Sequence, residues 1–400
     1  MPRKVALNTK KNKIDCMRPI IISTYPPRKC GIAEFTHDLF DGMKQINIKS
    51  SIIAMIKDCE EDNYPEEVVL KIREDEENDY IKAAEWINES GFDIVNIQHE
   101  FGIFGGEWGS YIIKFAERLK VPLITTLHTV VSKPQQQQLE VTRELSLSSR
   151  IIVVLTDTAI DLLYSSYGIK KDKIRVINHG VPKPSIYSRS YLKRVYGFKG
   201  KRVISTFGLI HAGKGIEYAI SGFARIASKY PDTIYLIIGE THPNVKRLKG
   251  ESYREKLTKL SEELGISERI IMINRFLEQD ELMNFLRMTD IFITPYIGYE
   301  QISSGALTFA IGSGKAIIST PYIYAVDMLR SNNGILCKFM DENSIADALD
   351  YLLYSPDRQK ELEQRTKLIG DALQWNNIAR EYIKLFEEIV EDEVQKSIKI

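Results

Sequence analysis

The sequence contains few cysteines, and their scatter excludes two classes of protein. There are 4 cysteines in 400 residues, and no two of them form a Cys-x-x-Cys pair. This pattern excludes a disulfide-stapled secreted scaffold and argues against a structural zinc site. We therefore expect reduced thiols and a cytoplasmic protein.

The sequence also lacks an excess of charge of either sign. Lys plus Arg number 54 and Asp plus Glu number 54, which gives a formal net charge of +0. Binding of nucleic acid through bulk positive charge is not expected, because no surplus of basic residues is available to neutralise phosphates. The hydrophobic fraction of 44% excludes a disordered chain.

Long apolar runs are missing as well. No run approaches the ~20 residues that span a bilayer, so no transmembrane segment is expected. The basic N-terminal tail, residues 1–17, lacks the apolar core of a signal peptide. Such a tail can still touch anionic lipid, so peripheral membrane contact stays open. The sequence carries no indication of oligomeric state.

The chain contains instead two series of short apolar segments that alternate with helical patterns. Strands that are apolar along their whole length, separated by helices, predict parallel sheets covered on both faces. Ligands bind such sheets at the carboxyl ends of the strands, so the loops there are the place to look for a site. The predicted strands are 18–24, 51–56, 93–97, 121–127, 150–156 and 174–178, then 202–207, 233–239, 269–274, 290–295 and 315–320.

The alternation divides the chain into domains. It pauses in a stretch of prolines, serines and basic residues, which is typical of a connection between domains. We predict a tail over 1–17, a first domain over 18–185, a linker over 186–200, a second domain over 201–372 and a C-terminal helix over 373–400.

A glycine-rich loop follows the first strand of the second series. It reads GLIHAGKG from Gly208 to Gly215 and leads into a helix. Its glycines let backbone amides approach an anion, while the helix N-terminus and Lys214 supply positive charge. This combination favours a diphosphate site over a plain turn. Gly215 stands where a nucleoside-triphosphatase loop needs Ser or Thr, so an ATPase is not expected.

A second loop follows the strand at 290–295. Ser303, Ser304 and Gly305 stand at the start of a helix, where free amides could hold phosphate oxygens. Glu300 could accept hydrogen bonds from sugar hydroxyls, with Gln301 beside it. The alternative is a simple helix cap, because serine is common at that position.

Two histidines follow neighbouring strands of the first series. His99, followed by Glu100, comes directly after the strand at 93–97, and His128 follows the strand at 121–127. Each alone is more typical of a structural residue, but two at equivalent loops favour a site.

The loop after the first strand carries a further candidate. Gly31 could bring backbone close to phosphate, and Arg28 and Lys29 either add charge or only solvate the loop. Cys30 has no histidine near it in sequence and is interpreted as a small loop residue.

Together these segments resemble the retaining glycosyltransferases of family 4 over nearly the whole chain. The family's first glycine loop resembles the segment with Gly31, and its two N-domain histidines match His99 and His128. Its diphosphate loop, G-R-L-x-x-x-K-G, resembles 208–215, and its acidic donor motif resembles the stretch that begins at Glu300. Further matching segments are INHGVP at 177–182, IIGETHP at 237–243 and WNNIAREYIKLFEEI at 375–389.

The resemblance implies an α/β fold of the GT-B type, in which two Rossmann-like domains with doubly wound parallel sheets face each other across a cleft. It implies that 18–185 form the acceptor side, that 201–372 bind the donor nucleotide, and that the helix over 373–400 crosses back to the first domain. There are two departures from the family pattern. Leu209 replaces the diphosphate Arg, and the second Glu falls at Thr308 or Phe309.

The implied activity is transfer of a hexose, with retention, from a GDP- or UDP-sugar to a hydroxyl of a saccharide or small molecule. Family habit favours mannose with a guanine nucleotide. Lys214 would stabilise the leaving diphosphate, Glu300 would orient the donor sugar and His99 would hold the sugar or acceptor. No metal and no other cofactor is expected. A glycoside phosphorylase, a nucleotide-sugar epimerase and a non-catalytic nucleotide-sugar binding protein stay open as alternatives.

The residues expected to touch ligand fall into two groups. The predicted donor- and phosphate-binding residues are Gly31, Gly208, Lys214, Arg275, Glu300, Gln301, Ser303, Ser304 and Gly305. The predicted sugar- or acceptor-side residues are His99, Glu100 and His128.

Overall fold

The computed structural model describes residues 17–57 and 63–398. The predicted basic tail therefore lies, apart from Met17, outside the described residues. Within the described ranges, no helix combines the length and the apolar character that crossing a membrane requires.

The chain folds into two units, each built on a parallel sheet. Unit 1 comprises residues 1–180 and 375–400, and unit 2 comprises residues 181–374. The strands are β1 Pro19–Ser23, β2 Ser51–Ile56, β3 Val68–Arg73, β4 Ile94–His99, β5 Leu123–Leu127, β6 Ile151–Val154, β7 Ile174–Val176, β8 Arg202–Phe207, β9 Thr233–Ile238, β10 Ile270–Ile273, β11 Ile291–Thr294, β12 Ala316–Ser319 and β13 Ile335–Leu336.

Helices cover the sheets. They are α1 Gly31–Gln45, α2 Glu77–Glu89, α3 Tyr111–Arg118, α4 Gln136–Ser148, α5 Thr158–Tyr167, α6 Arg189–Val195, α7 Ile216–Ala227, α8 Pro243–Lys249, α9 Ser252–Glu263, α10 Gln279–Met288, α11 Gly305–Gly312, α12 Ile323–Leu329, α13 Glu342–Tyr354, α14 Pro356–Ala372 and α15 Trp375–Ile398.

The strand orders confirm the predicted fold class of two doubly wound parallel sheets. The 7-stranded sheet of unit 1 has the order β3-β2-β1-β4-β5-β6-β7, and the 6-stranded sheet of unit 2 has the order β10-β9-β8-β11-β12-β13. All pairings in both sheets are parallel. Strand order reverses between β1 and β4 in unit 1 and between β8 and β11 in unit 2, and ligands of such sheets bind at these switch points.

The central strands are buried on both faces, which explains their unbroken apolar sequences. Every residue of β1, β4, β5, β9, β11 and β12 is buried. The sequence analysis did not identify β3 or β13. Both lie at sheet edges, where one side is exposed: β3 carries Lys71 and Arg73, and β13 has 2 residues.

The segment predicted as a linker, 186–200, differs in the structure because it contains helix α6 and belongs to unit 2. The Ser188 hydroxyl caps this helix by accepting from the Tyr191 amide at 3.2 Å. Arg189 and Lys193 both pair with Asp290, at 3.2 and 2.5 Å. These contacts fix the segment against unit 2 despite its turn-rich composition.

The C-terminal helix α15 belongs to unit 1, where it packs on α1. A Cβ added to Gly42 of α1 would lie 2.6 Å from the Trp375 carbonyl oxygen, and one added to Gly180 would lie 2.2 Å from the Trp375 ring. The two glycines therefore permit the close approach of α15.

Candidate active site

The glycine loop after β8 places backbone beside a lysine ammonium. Gly208 has φ +129°, and a Cβ there would lie 3.5 Å from Lys214 Nζ. Gly215 has φ +61°, and a Cβ there would lie 2.2 Å from the Pro295 carbonyl oxygen. Both conformations are rare for other residues. The loop thus packs against the end of β11, at the switch point of unit 2.

Lys214 is held in this loop by an aromatic residue. Its Nζ donates to the Tyr296 hydroxyl at 2.6 Å and lies 4.1 Å from the centroid of the Tyr296 ring. Burial lowers the pKa of Lys214 to about 8. Among the described residues Lys214 has no carboxylate partner, so its charge is available to an anion.

Tyr296 was missed by the sequence analysis, although it directly follows the predicted strand at 290–295. Its ring stacks on Tyr322 with centroids 4.9 Å apart, and its hydroxyl lies 3.5 Å from Ser304 Oγ. Burial raises the pKa of Tyr296 to about 12, so the phenol stays neutral. It links the glycine loop to the start of α11.

His211 was quoted only as part of the loop motif, and the structure gives it a distinct role. Its Nδ1 accepts from the Gly213 amide at 3.1 Å and caps the short turn that contains Lys214. Burial, then the nearby charges of Lys214 and His242, lower the pKa of His211 to about 4. A neutral ring with Nδ1 as acceptor carries its proton on Nε2.

The loop between β11 and α11 holds the second group of predicted residues. Ser304 is buried and is the N-cap of α11, accepting from the Leu307 amide at 3.2 Å, so the cap interpretation holds for this residue. Ser303 is half-buried, and its carbonyl accepts from Gln301 Nε2 at 2.8 Å. Glu300 and Gln301 are exposed, and Gly305 is the first residue of α11.

The two positions that correspond to the family's second Glu differ in environment. Thr308 is fully buried and donates to the Ser304 carbonyl at 2.8 Å, with a further short contact to the Tyr324 hydroxyl. Phe309 is half-buried and stacks on Phe207, with centroids 6.0 Å apart. Helix α11 carries no carboxylate at either position.

Arg275, predicted to balance the diphosphate charge, is engaged by a carboxylate. Its guanidinium forms a bidentate pair with Glu281, at 2.7 and 2.5 Å. A phosphate at this position would compete with Glu281.

In unit 1, His99 is the last residue of β4, next to the switch point. The residue is fully buried, and neither ring nitrogen has a hydrogen-bond partner within the part of the chain that the structure describes. Its ring lies 5.0 Å from that of Phe101 and 5.7 Å from that of Phe104. Burial lowers the pKa of His99 to about 3, so the ring stays neutral. Buried ring nitrogens without partners are unusual in folded proteins.

His128 and His179 lie close to the same edge of the sheet. The His128 amide donates to the His99 carbonyl at 3.0 Å, and the rings of His128 and His179 lie 4.6 and 5.0 Å from that of Phe35. Burial lowers the pKa of both, that of His128 to about 3. The sequence analysis quoted His179 only within a motif.

Glu100 makes internal contacts. Its carboxylate accepts from the Phe101 amide at 3.1 Å and from the Thr129 hydroxyl at 2.5 Å. Burial raises the pKa of Glu100. The first bond caps the short turn that follows β4, and the second ties Glu100 to the loop after β5.

The loop after β1 leaves open space at Gly31, the first residue of α1. No atom lies within 4 Å of a Cβ added there. Cys30 is the N-cap, with Sγ 3.4 Å from the Ala33 amide nitrogen, and Arg28 pairs with buried Glu74. Arg28 is therefore engaged inside unit 1.

Comparison with protein families gives two matches that together span most of the chain. The family model "Glycosyltransferase Family 4" matches residues 31–183. The model "Glycosyl transferases group 1" matches residues 189–369.

Individual proteins show the same relationship. Mannosylfructose-phosphate synthase of Agrobacterium fabrum is 21% identical over 305 residues, which cover 68% of this chain and 65% of that protein. The match thus spans less than two thirds of the relative's length. A glycosyltransferase from Rickettsia africae superposes with a TM-score of 0.76 at 18% identity, covering 94% of this chain and 99% of that one.

A further solved structure is Anabaena HepE in complex with UDP and glucose. It superposes with a TM-score of 0.74 at 13% identity, covering 92% of this chain and 99% of that chain. At such identities the solved structures show a shared fold. The family models, together with the two parallel-sheet units, establish that the chain belongs to glycosyltransferase family 4 and has the GT-B fold.

Proposed function

We propose that this chain transfers a hexose, with retention of anomeric configuration, from a nucleotide diphosphate sugar to a hydroxyl of a saccharide or small molecule. The observation that carries the proposal is the Lys214 ammonium, which lies beside Gly208 and has no carboxylate partner among the described residues. An ammonium held over a tyrosine ring in a glycine loop suits the diphosphate of such a donor.

The leaving group is the diphosphate, whose negative charge grows as the bond to the anomeric carbon breaks. Lys214 and the backbone amides at the start of α11, near Ser303 to Gly305, would stabilise that charge. A fixed charge in a partly buried loop needs little reorganisation during the reaction, which is why such preorganised groups contribute strongly to rate. Gly208 and Gly31 would admit phosphate oxygens close to the backbone.

Other residues would hold the sugars. Glu300 and Gln301 lie in an exposed loop. The Glu300 carboxylate would accept hydrogen bonds from hydroxyls of the donor sugar, with Gln301 beside it. His99 would hold the sugar or acceptor as a neutral imidazole, because burial lowers its pKa to about 3. His128 and Glu100 would support the acceptor side, and Arg275 would contact the diphosphate if released from Glu281.

Retention is proposed without a protein nucleophile. The acceptor oxygen would form a bond to the anomeric carbon on the face that the diphosphate leaves. Its proton would pass to an oxygen of the departing phosphate, so the products are the glycoside and the nucleoside diphosphate. The proposal includes no metal and no further cofactor.

The proposal also names a donor, GDP-mannose, with UDP-sugars as the alternative. Mannose with a guanine nucleotide follows the family habit, and the name of the Agrobacterium relative includes a mannosyl group. The Anabaena structure was solved with UDP, which keeps UDP-sugars in the donor panel. We propose a cytoplasmic location on the scattered cysteines and assign no nucleic-acid partner.

One observation favours a second candidate, a glycoside phosphorylase. Thr308 is buried and Phe309 stacks on Phe207, so α11 offers no carboxylate to ribose hydroxyls at these positions. A phosphorylase would use the Lys214 loop for free phosphate and needs no ribose contact.

Calorimetric titration with GDP, UDP, ADP and inorganic phosphate separates the two candidates. Lys214→Ala should weaken binding of the preferred nucleoside diphosphate at least ten-fold, because a hydrogen-bonded charge pair contributes roughly 1.5–3 kcal/mol. Lys249→Ala, an exposed lysine on α8, is the matched control and should bind normally. Unchanged binding by Lys214→Ala would contradict the assignment of this loop to the diphosphate. Binding of inorganic phosphate without binding of any nucleoside diphosphate would favour the phosphorylase.

A further inference from the structure

A chain of buried polar side chains runs through unit 1 from the C-terminal helix to His128. The Tyr382 hydroxyl of α15 lies 3.1 Å from Thr126 Oγ1, to which Asn96 Nδ2 donates at 3.2 Å. Gln98 Nε2 donates to Asn96 Oδ1, and Gln98 Oε1 lies 2.9 Å from His128 Nε2. All five side chains are buried.

The sheet register places these side chains on one face. Asn96 and Gln98 are two residues apart on β4, and Thr126 on β5 lies directly beside Gln98. Residues two apart on a strand share a face, as do paired residues of neighbouring parallel strands. A polar network inside an apolar sheet is costly unless each member is bonded, so its arrangement is tightly constrained.

A backbone carbonyl fixes the direction of the bonds from Asn96 through Gln98 to His128. Asn96 Nδ2 donates to the Ile124 carbonyl at 3.4 Å, and a carbonyl can only accept. Asn96 must therefore turn Oδ1 toward Gln98, and the Gln98 NH₂ group must donate to that oxygen. Gln98 then presents Oε1 to His128, so the His128 Nε2 must carry a proton.

We infer that Gln98 and Tyr382 are positioning residues, which hold His128 as the neutral Nε2–H tautomer and tie its orientation to helix α15. The inference rests on the proposed function only in assigning His128 to the sugar side. The tautomer is a property of the folded chain and can be measured without substrate.

Two histidines act on the pKa of His128. They are His179 and His99, both of which are buried and have lowered pKa values. Because burial also lowers the pKa of His128 to about 3, a charged ring is not populated near neutral pH.

Nitrogen-15 spectra of the histidine rings in the full chain test the tautomer at pH 7. The expected result is a neutral His128 ring with its proton on Nε2. An Nδ1–H tautomer, an imidazolium or a mixture of tautomers in the wild-type protein would overturn the inference. If no nucleotide sugar is turned over, the proposed function fails while this measurement still decides the tautomer.

Variants test the positioning role. Gln98→Met replaces the side chain with one of similar volume that offers no acceptor to His128 Nε2. We expect altered His128 ring resonances. We also expect kcat to fall about ten-fold with the donor KM little changed, because the His128 ring would be misplaced. Thr125→Val is the matched control, since it breaks a buried 2.8 Å bond to Ser149 and lies on the neighbouring strand β5, on the face opposite to Thr126. It should leave both readouts unchanged.

A second variant keeps the test decisive if Gln98→Met does not fold. Tyr382→Phe retains the ring that packs 6.0 Å from Phe386 and removes only the hydroxyl. It should shift the His128 resonances and lower kcat several-fold. Unchanged His128 resonances in the folded variant would overturn the role of the chain of hydrogen bonds.

Discussion

At the scale of single residues, the candidate site depends on how burial sets the charge of a few groups. Burial holds His99 neutral, with a pKa of about 3, yet leaves Lys214 with a pKa of about 8. Lys214 is therefore a cation at neutral pH that loses its proton more readily than a solvated lysine. The His99 ring is neutral at that pH and has one nitrogen that can donate and one that can accept a hydrogen bond.

The pKa of Lys214 predicts a limit at high pH. The ammonium is present below about pH 8 and is lost above it, so kcat/KM for the donor should fall about ten-fold per pH unit above that value. With donor bound, the diphosphate stabilises the ammonium, so kcat should persist to higher pH. Initial rates across the pH range check this, and a kcat/KM that stays constant to about pH 10 contradicts it.

His211 predicts a separable contribution from loop geometry. His211→Ala removes the acceptor for the Gly213 amide, and the loss of such a cap costs ~0.5–2 kcal/mol. The loop should be less ordered, and nucleoside diphosphate should bind several-fold more weakly. His211→Asn restores a side-chain acceptor, because Asn is a favoured capping residue. If His211→Asn binds nucleoside diphosphate no better than His211→Ala does, the lost cap is not the cause of the weaker binding.

At the scale of elements, α15 contributes to unit 1 as an integral part of its packing. Its first residue, Trp375, lies against Gly42 and Gly180. The Trp375 ring also lies 4.9 Å from that of Phe35, which contacts His128. The helix farthest along the chain is thus in contact with the residues around the histidines.

Gly42→Ala tests this packing. Its Cβ would lie 2.6 Å from the Trp375 carbonyl oxygen, whereas one at Gly102 would have nothing within 4 Å. Because the contacted atom belongs to the backbone, we expect overpacking to cost ~2–3 kcal/mol. About 1 kcal/mol of helix propensity offsets part of this cost and leaves a net loss of ~1–2 kcal/mol. Denaturant unfolding measures this loss in the free energy of unfolding. Gly102→Ala is the control, and its free energy of unfolding should stay close to that of the wild type. Equal stability of the two variants would contradict the close contact.

At the scale of the whole molecule, the apolar segments predicted the central strands, because residues buried on both faces leave no polar interruption. The edge strand β3 was not predicted, because Lys71 and Arg73 interrupt its apolar pattern. The linker prediction at 186–200 followed composition, but long-range pairing with Asp290 fixes that segment to unit 2.

Candidate site residues could be predicted where they lie together in one loop. Contacts between residues that are far apart in sequence could not be predicted. The Lys214 loop could be identified from local glycines and a helix start. The contact of Lys214 with Tyr296 depends on β8 lying beside β11, which spacing in sequence does not reveal. The chain of bonds from Tyr382 to His128 likewise depends on α15 packing beside the sheet.

The most direct test of the central claim is a turnover screen of the purified chain with GDP-, UDP- and ADP-sugars, with and without saccharide acceptors. We predict that one donor releases nucleoside diphosphate, that an acceptor raises the rate, and that Lys214→Ala abolishes both while Lys249→Ala does not. Formation of sugar 1-phosphate from an oligosaccharide and free phosphate, with every nucleotide sugar left intact, would contradict the account.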